Sequence, residues 1–188
     1  MKKIIFLSSV ILAFGCLQLK AQDTNKSESI DPLDISKQME QIEKYGVPTI
    51  ATVDEMKTKA DVLYESQSWK EAALAYEVYA KNVNWLANLL SQCVEPYYSA
   101  SYDDRKNTSY STLKPFIPFE SKANECKKQR NIAYVKIGLC YKNTGDMKNA
   151  IAYLHKGLDL LSVDELSYWT MAKDAMAEIL QFDVEKSK

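Results

Sequence analysis

Residues 134–162 read YVKIGLCYKNTGDMKNAIAYLHKGLDLLS, and this stretch decides the fold. Tyr134, Ile137, Gly138 and Tyr141 recur at spacings that place them on one helical face. Asn143-Thr144-Gly145-Asp146 breaks the period, and Ala150, Leu154, Gly157 and Leu158 restart it. The pattern predicts two amphipathic helices joined by a tight turn, with small residues where the helices cross closely.

Upstream, Thr52-Val-Asp-Glu55 and Ser68-Trp-Lys-Glu71 have the form of capping boxes. The first opens a helix whose apolar face is Met56, Ala60, Leu63 and Tyr64, and the second opens one carrying Trp69, Ala72, Ala73, Tyr76, Tyr79 and Ala80. A shift of 78 residues lays Trp69, Lys70, Ala72 and Tyr76 on Met147, Lys148, Ala150 and Leu154. The first helices of the two pairs agree less well, because Lys59 stands at an apolar position and no glycine precedes the turn.

Tyr134-x2-Ile137-Gly138-x2-Tyr141, Gly145 and Ala150-x3-Leu154-x2-Gly157 resemble the tetratricopeptide repeat, with Tyr134 in place of the usual tryptophan and Ser162 in place of the closing proline. The resemblance implies an all-α fold, a right-handed superhelix of antiparallel helix pairs with a C-terminal closing helix. Because 78 exceeds two repeats of about 34 residues, an irregular helical pair with an insertion is expected within 82–130. Trp85, Leu86, Leu89, Leu90 and Cys93 predict a helix that Pro96 ends or kinks. Residues 97–119 show no apolar period and contain Pro115 and Pro118, which predicts a long irregular loop. From Ser121 the helical pattern returns, and the sequence leaves open whether 121–141 is one helix or two. Ser162-Val-Asp-Glu165 is a further capping box, opening the closing helix with Tyr168, Met171, Ala172, Ala175, Ile179 and Phe182.

At the other end, Lys2-Lys3 precede an apolar run from Ile4 to Leu17, and polar residues follow Ala21. Residues 1–21 therefore read as a signal peptide, and the protein as exported, periplasmic or secreted. The run is shorter than the roughly 20 residues of a spanning helix. An alternative takes Ala13-Phe14-Gly15-Cys16 as a lipoprotein box, and lipidation of Cys16 is the one route to membrane attachment, at the outer membrane. Removing 21 of the 188 residues leaves 167, with three fewer lysines and no fewer acids, so the formal charge moves from −1 to −4. That balance gives no footprint for nucleic acid. Residues 22–50 form a flexible leader and a short helix striped by Ile35, Met39 and Ile42, residues 51–183 form the repeat-like domain, and residues 184–188 fray. The stripe needs a surface, and residues 30–50 are expected to lie against the array.

The residue inventory argues against catalysis, and no cofactor or metal is expected. His155 is the sole histidine and lies on a predicted helix, which removes His-dependent triads and multi-histidine zinc sites. Cys93, Cys126 and Cys140 form no CxxC and read first as small buried apolar residues. On one helix Cys126 and Cys140 would stand about 21 Å apart, so a disulfide would sooner join Cys93 to Cys126.

In tetratricopeptide proteins ligands lie along the first helix of each repeat. The resemblance places Ile132, Val135, Leu139 and Lys142 there from the best repeat, Lys57, Asp61 and Tyr64 from the first, and Trp169 and Lys173 from the closing helix. Val135 and Leu139 stand where a carboxylate clamp wants lysine and asparagine, so the groove is apolar. The loop offers a second surface: Tyr97, Tyr98, Tyr102, Tyr110 and Phe116 lie among small polar residues, a composition suited to recognition. The expected function is a non-enzymatic scaffold for a protein or peptide partner in the periplasm or cell envelope, with its oligomeric state open. The alternative is a carbohydrate- or small-ligand-binding accessory protein that uses the aromatic loop.

Overall fold

The computed structural model describes residues 35–97 and 99–182. The signal peptide read at 1–21, Tyr98 and the tail at 184–188 lie outside the described residues. The chain divides into two units between Lys37 and Gln38, and the helical core lies wholly within the second.

Among the described residues the fold is all-α. Its helices are α1 (Ser36–Tyr45), α2 (Ile50–Glu65), α3 (Trp69–Gln92), α4 (Tyr102–Asn107), α5 (Tyr110–Leu113), α6 (Ile117–Thr144), α7 (Met147–Leu160) and α8 (Leu166–Ile179), with a 3-10 turn at Val163–Glu165. Helices α2 and α3 pack together, α3 lies along α6, α6 along α7, and α8 closes on both α6 and α7. The core joins Val53 and Ala60 of α2, Tyr76, Tyr79, Val83 and Leu86 of α3, and Cys126, Ala133 and Ile137 of α6. A second cluster holds Val135 of α6, Leu154 of α7, and Ala172 and Ala175 of α8.

The turn between α6 and α7 follows the sequence reading. Gly145 takes φ +82° and lets the chain reverse. Its N–H donates to Lys142 O at 3.1 Å, and that of Asp146 to Tyr141 O at 3.0 Å. The α2–α3 turn is the same structure displaced by 78 residues. Gln67 holds φ +59°, its N–H donates to Tyr64 O at 3.0 Å, and that of Ser68 to Leu63 O at 3.0 Å. The next two bonds also correspond: Trp69 N to Gln67 O (2.8 Å) matches Met147 N to Gly145 O (3.0 Å), and Ala72 N to Ser68 O (2.8 Å) matches Ala150 N to Asp146 O (2.9 Å). The internal repeat therefore extends to a turn that lacks glycine.

Several expectations are corrected. The helical pair expected within 82–130 is no full repeat, because its two ends are absorbed into α3, of 24 residues, and α6, of 28 residues, and only the short α4 and α5 lie between them. The question left open at 121–141 is decided for one unbroken helix. The loop expected at 97–119 contains α4 and α5 and the first turn of α6. Ser101 and Ser109 cap the two short helices, accepting from Asp104 N (3.2 Å) and Thr112 N (3.4 Å), and Pro118 sits in the first turn of α6, where its missing N–H costs no hydrogen bond. Helix α2 starts before Thr52, since Thr49 is its N-cap: the Thr49 hydroxyl accepts from Thr52 N at 3.1 Å, and Thr49 N donates to Thr52 Oγ1 at 2.9 Å. Ser68 makes no side-chain cap. At the third box Glu165 reaches back, accepting from the Ser162 N–H and hydroxyl at 2.6 Å each. Phe182 lies beyond α8 and is exposed. Met39 stays 46% exposed and Ile42 is half-buried, so α1 does not bury its stripe as expected.

Candidate functional site

The groove expected along the first helices is largely filled. Val135 is fully buried against Leu154, Ala172 and Ala175, Ile132 is buried, and Leu139 packs on the same cluster. Val135 and Leu139 line no open groove, because α8 folds back over the face of α6 that carries them, whereas Ile132 borders a small cleft with Lys57, Asp61 and Lys136. Lys142 pairs with Glu178 of α8. Trp169 and Lys173 lie on the outer side of α8, where the Lys173 ammonium sits 5.6 Å from the Trp169 ring centre. Trp169 also borders an apolar hollow of about 360 Å³ with Leu161, Val163 and Leu166.

Lys57, Asp61 and Tyr64 belong to a polar knot that the sequence only half revealed. Asp61 accepts from Lys57 at 2.5 Å, from Lys136 of α6 at 2.6 Å, and from the Tyr76 hydroxyl. Lys136 also donates to the Tyr76 oxygen at 2.9 Å, and its ammonium lies 5.3 Å and 5.1 Å from the Tyr64 and Tyr76 ring centres. Burial alone would raise the Asp61 pKa. The hydrogen bonds from Lys136, Lys57 and Tyr76 more than offset it and hold the carboxyl at about 2, against an ordinary 3.8. Burial, then the bond to Asp61, pushes the Tyr76 hydroxyl well up. These bonds tie α2, α3 and α6 together. The missed member is Lys136. Its helical neighbours Ile132, Ala133 and Cys140 are apolar, and a lysine on such a face is the one available signal of a buried cation.

A second tie was also missed. Glu77 Oε1 accepts from Tyr141 at 2.7 Å and Tyr153 at 3.0 Å, joining α3 to α6 and α7, with the two rings stacked at 5.8 Å. Burial and then the bond to Glu77 push the Tyr141 hydroxyl up to about 12.

The insertion holds an open cleft. Tyr97 and Phe116 stack with their centres 6.2 Å apart and 15° between planes. With Glu95, Ser99, Ala100, Asp104, Thr108 and Thr112 they bound a cleft of about 550 Å³, a volume in the range of ligand sites. Tyr102 and Tyr110 stand 75% and 69% exposed on the helices beside it. The chain matches no protein-family model, no curated protein and no solved structure.

His155 is exposed with Nδ1 3.1 Å from Asp159, an i,i+4 surface pair. Among the described residues no three His, Cys, Asp or Glu side chains gather as a metal site, and no helix is long and apolar enough to cross a membrane. Cys93, Cys126 and Cys140 are free. Cys126 and Cys140 are buried as expected, whereas Cys93 is exposed because it falls just past the end of α3.

Proposed function

We propose that the chain is a non-enzymatic, tetratricopeptide-like scaffold, exported to the bacterial periplasm or cell envelope, that holds a protein or peptide partner on the insertion between α3 and α6. The observation that carries this reading is the contrast between the two surfaces considered for binding. The apolar face of α6 is covered by α8, while the insertion combines an open cleft, a stacked aromatic pair and two prominent tyrosines. Exposed tyrosines beside a cleft provide contact area at little entropic cost. The paired turns at Gln67 and Gly145 support the repeat reading, and the basic-apolar N-terminus supports export.

The test is cross-linked capture from an envelope fraction with the wild-type chain and with Tyr102→Ser/Tyr110→Ser. Both side chains are exposed, so the double variant is expected to keep its melting temperature and lose the partner. Retained capture would reject the insertion as the contact surface.

A carbohydrate or small ligand is the second reading, supported by the Tyr97–Phe116 platform and the hydroxyls of Ser99, Thr108 and Thr112 around the same cleft. A glycan array distinguishes it, since specific binding there favours the ligand.

A further inference from the structure

Building on the insertion as the contact surface, we infer that its cleft receives a basic segment of the partner, with a lysine or arginine laid across the Tyr97–Phe116 pair. The apolar walls come from those two rings, and the charge at the rim comes from Glu95 and Asp104. No lysine or arginine lines the cleft among the described residues. Arg105, next in sequence to Asp104, is turned to the Ala100 carbonyl, to which its Nε donates at 3.1 Å.

The carboxylates are held in place by neutral donors. Glu95 Oε2 accepts from the Ser99 hydroxyl at 2.6 Å and its N–H at 3.2 Å, and Asp104 Oδ2 accepts from the Ser101 hydroxyl at 2.7 Å. These bonds position the groups without cancelling their charge, and neither carboxylate forms an ion pair among the described residues. An acidic segment would meet two like charges. A neutral apolar segment would strip water from both carboxylates and return nothing. A long basic side chain matches both features, because its methylene stem packs on the rings while its cationic head reaches the carboxylates through charge-assisted hydrogen bonds.

The probe is a fluorescein-labelled glycine-serine peptide with a central Arg-Lys-Arg, and a twin with citrulline and norleucine in those places, titrated against the full chain. The basic peptide is expected to bind about tenfold more tightly than its twin, and to weaken several-fold between about 50 mM and about 300 mM salt. Glu95→Gln/Asp104→Asn is expected to remove that preference by weakening the basic peptide, while leaving the melting curve unchanged. Equal affinity for the two peptides, or a preference that survives the double substitution, overturns the inference. The capture assay separates the two readings. Partner loss in Tyr102→Ser/Tyr110→Ser together with equal peptide affinities removes the basic occupant and leaves the contact surface standing, whereas retained capture removes the surface itself.

Discussion

Gln67 and Gly145 do the same work 78 residues apart: each ends the first helix of a pair in the left-handed region, at φ +59° and +82°. A side chain in that region costs about 1 kcal/mol, a strain glycine escapes. Gly145 has nothing within 4 Å of an added Cβ, so Gly145→Ala is expected to lose about 1 kcal/mol through backbone strain alone. Gln67→Gly should gain about 0.5 kcal/mol, since relief of strain is partly offset by the freer unfolded chain. Urea midpoints moving in opposite directions at unchanged slope are the expected result, and shifts of the same sign would refute the equivalence of the two turns.

The knot at Asp61 makes part of the stability acid-sensitive. Its carboxyl titrates near 2 when folded and near 3.8 otherwise, so the ionised form is favoured by folding. That contribution is complete above about pH 4 and is lost as the pH falls towards 2. Allowing for the partial exposure of the group it amounts to about 1 kcal/mol, or about 2–4 °C in melting temperature. Asp61→Asn should therefore melt below the wild type at neutral pH and approach it as the pH falls from 4 to 2. A gap independent of pH would dismiss the assignment.

Gly138 and Leu154 fix how closely α6 and α7 approach. A Cβ on Gly138 would lie 2.7 Å from Leu154 Cγ and 3.0 Å from its backbone nitrogen. Turning the leucine side chain cannot clear the second contact, so α7 itself has to shift. Gly138→Ala is expected to cost about 1–3 kcal/mol from overpacking, more than the roughly 1 kcal/mol that helix propensity returns. Ala60, one repeat earlier, is fully buried with its methyl accommodated, and Ala60→Gly should also destabilise. Thermal melts of the two variants check both signs.

The cysteines should separate by reactivity. Burial pushes the Cys140 thiol up to about 12 and raises that of Cys126, while Cys93 is exposed. Maleimide added to the native protein at neutral pH should modify Cys93 and spare Cys126 and Cys140 until denaturant is added, as read by peptide mapping. Native labelling of Cys140 would contradict its place in the core beside Ala72 and Ala73.

Much of the helical content was legible because periodicity is a local property. The α6–α7 turn announced itself through Gly145, the residue that tolerates its backbone angle best, whereas Gln67 carries no such mark. The full lengths of α3 and α6 were missed. The stretch Trp85–Cys93 looked like a new element, although it continues the face already presented by Tyr76, Tyr79 and Val83. The site was less legible still. Glu95 and Asp104 form no motif in the sequence, and they border one cleft because the insertion folds back on itself.

The sequence by itself determined an all-α fold, the phase of the long helices and the reversal after Tyr141, since all of these follow from side-chain period and from what a few residues allow the backbone to do. Only the tertiary structure decided which apolar face is covered. An amphipathic stripe records that a surface must be buried and not what buries it. Val135 and Leu139 looked like a groove, but α8 lies on them, and the insertion became the open surface because no helix among the described residues does the same there.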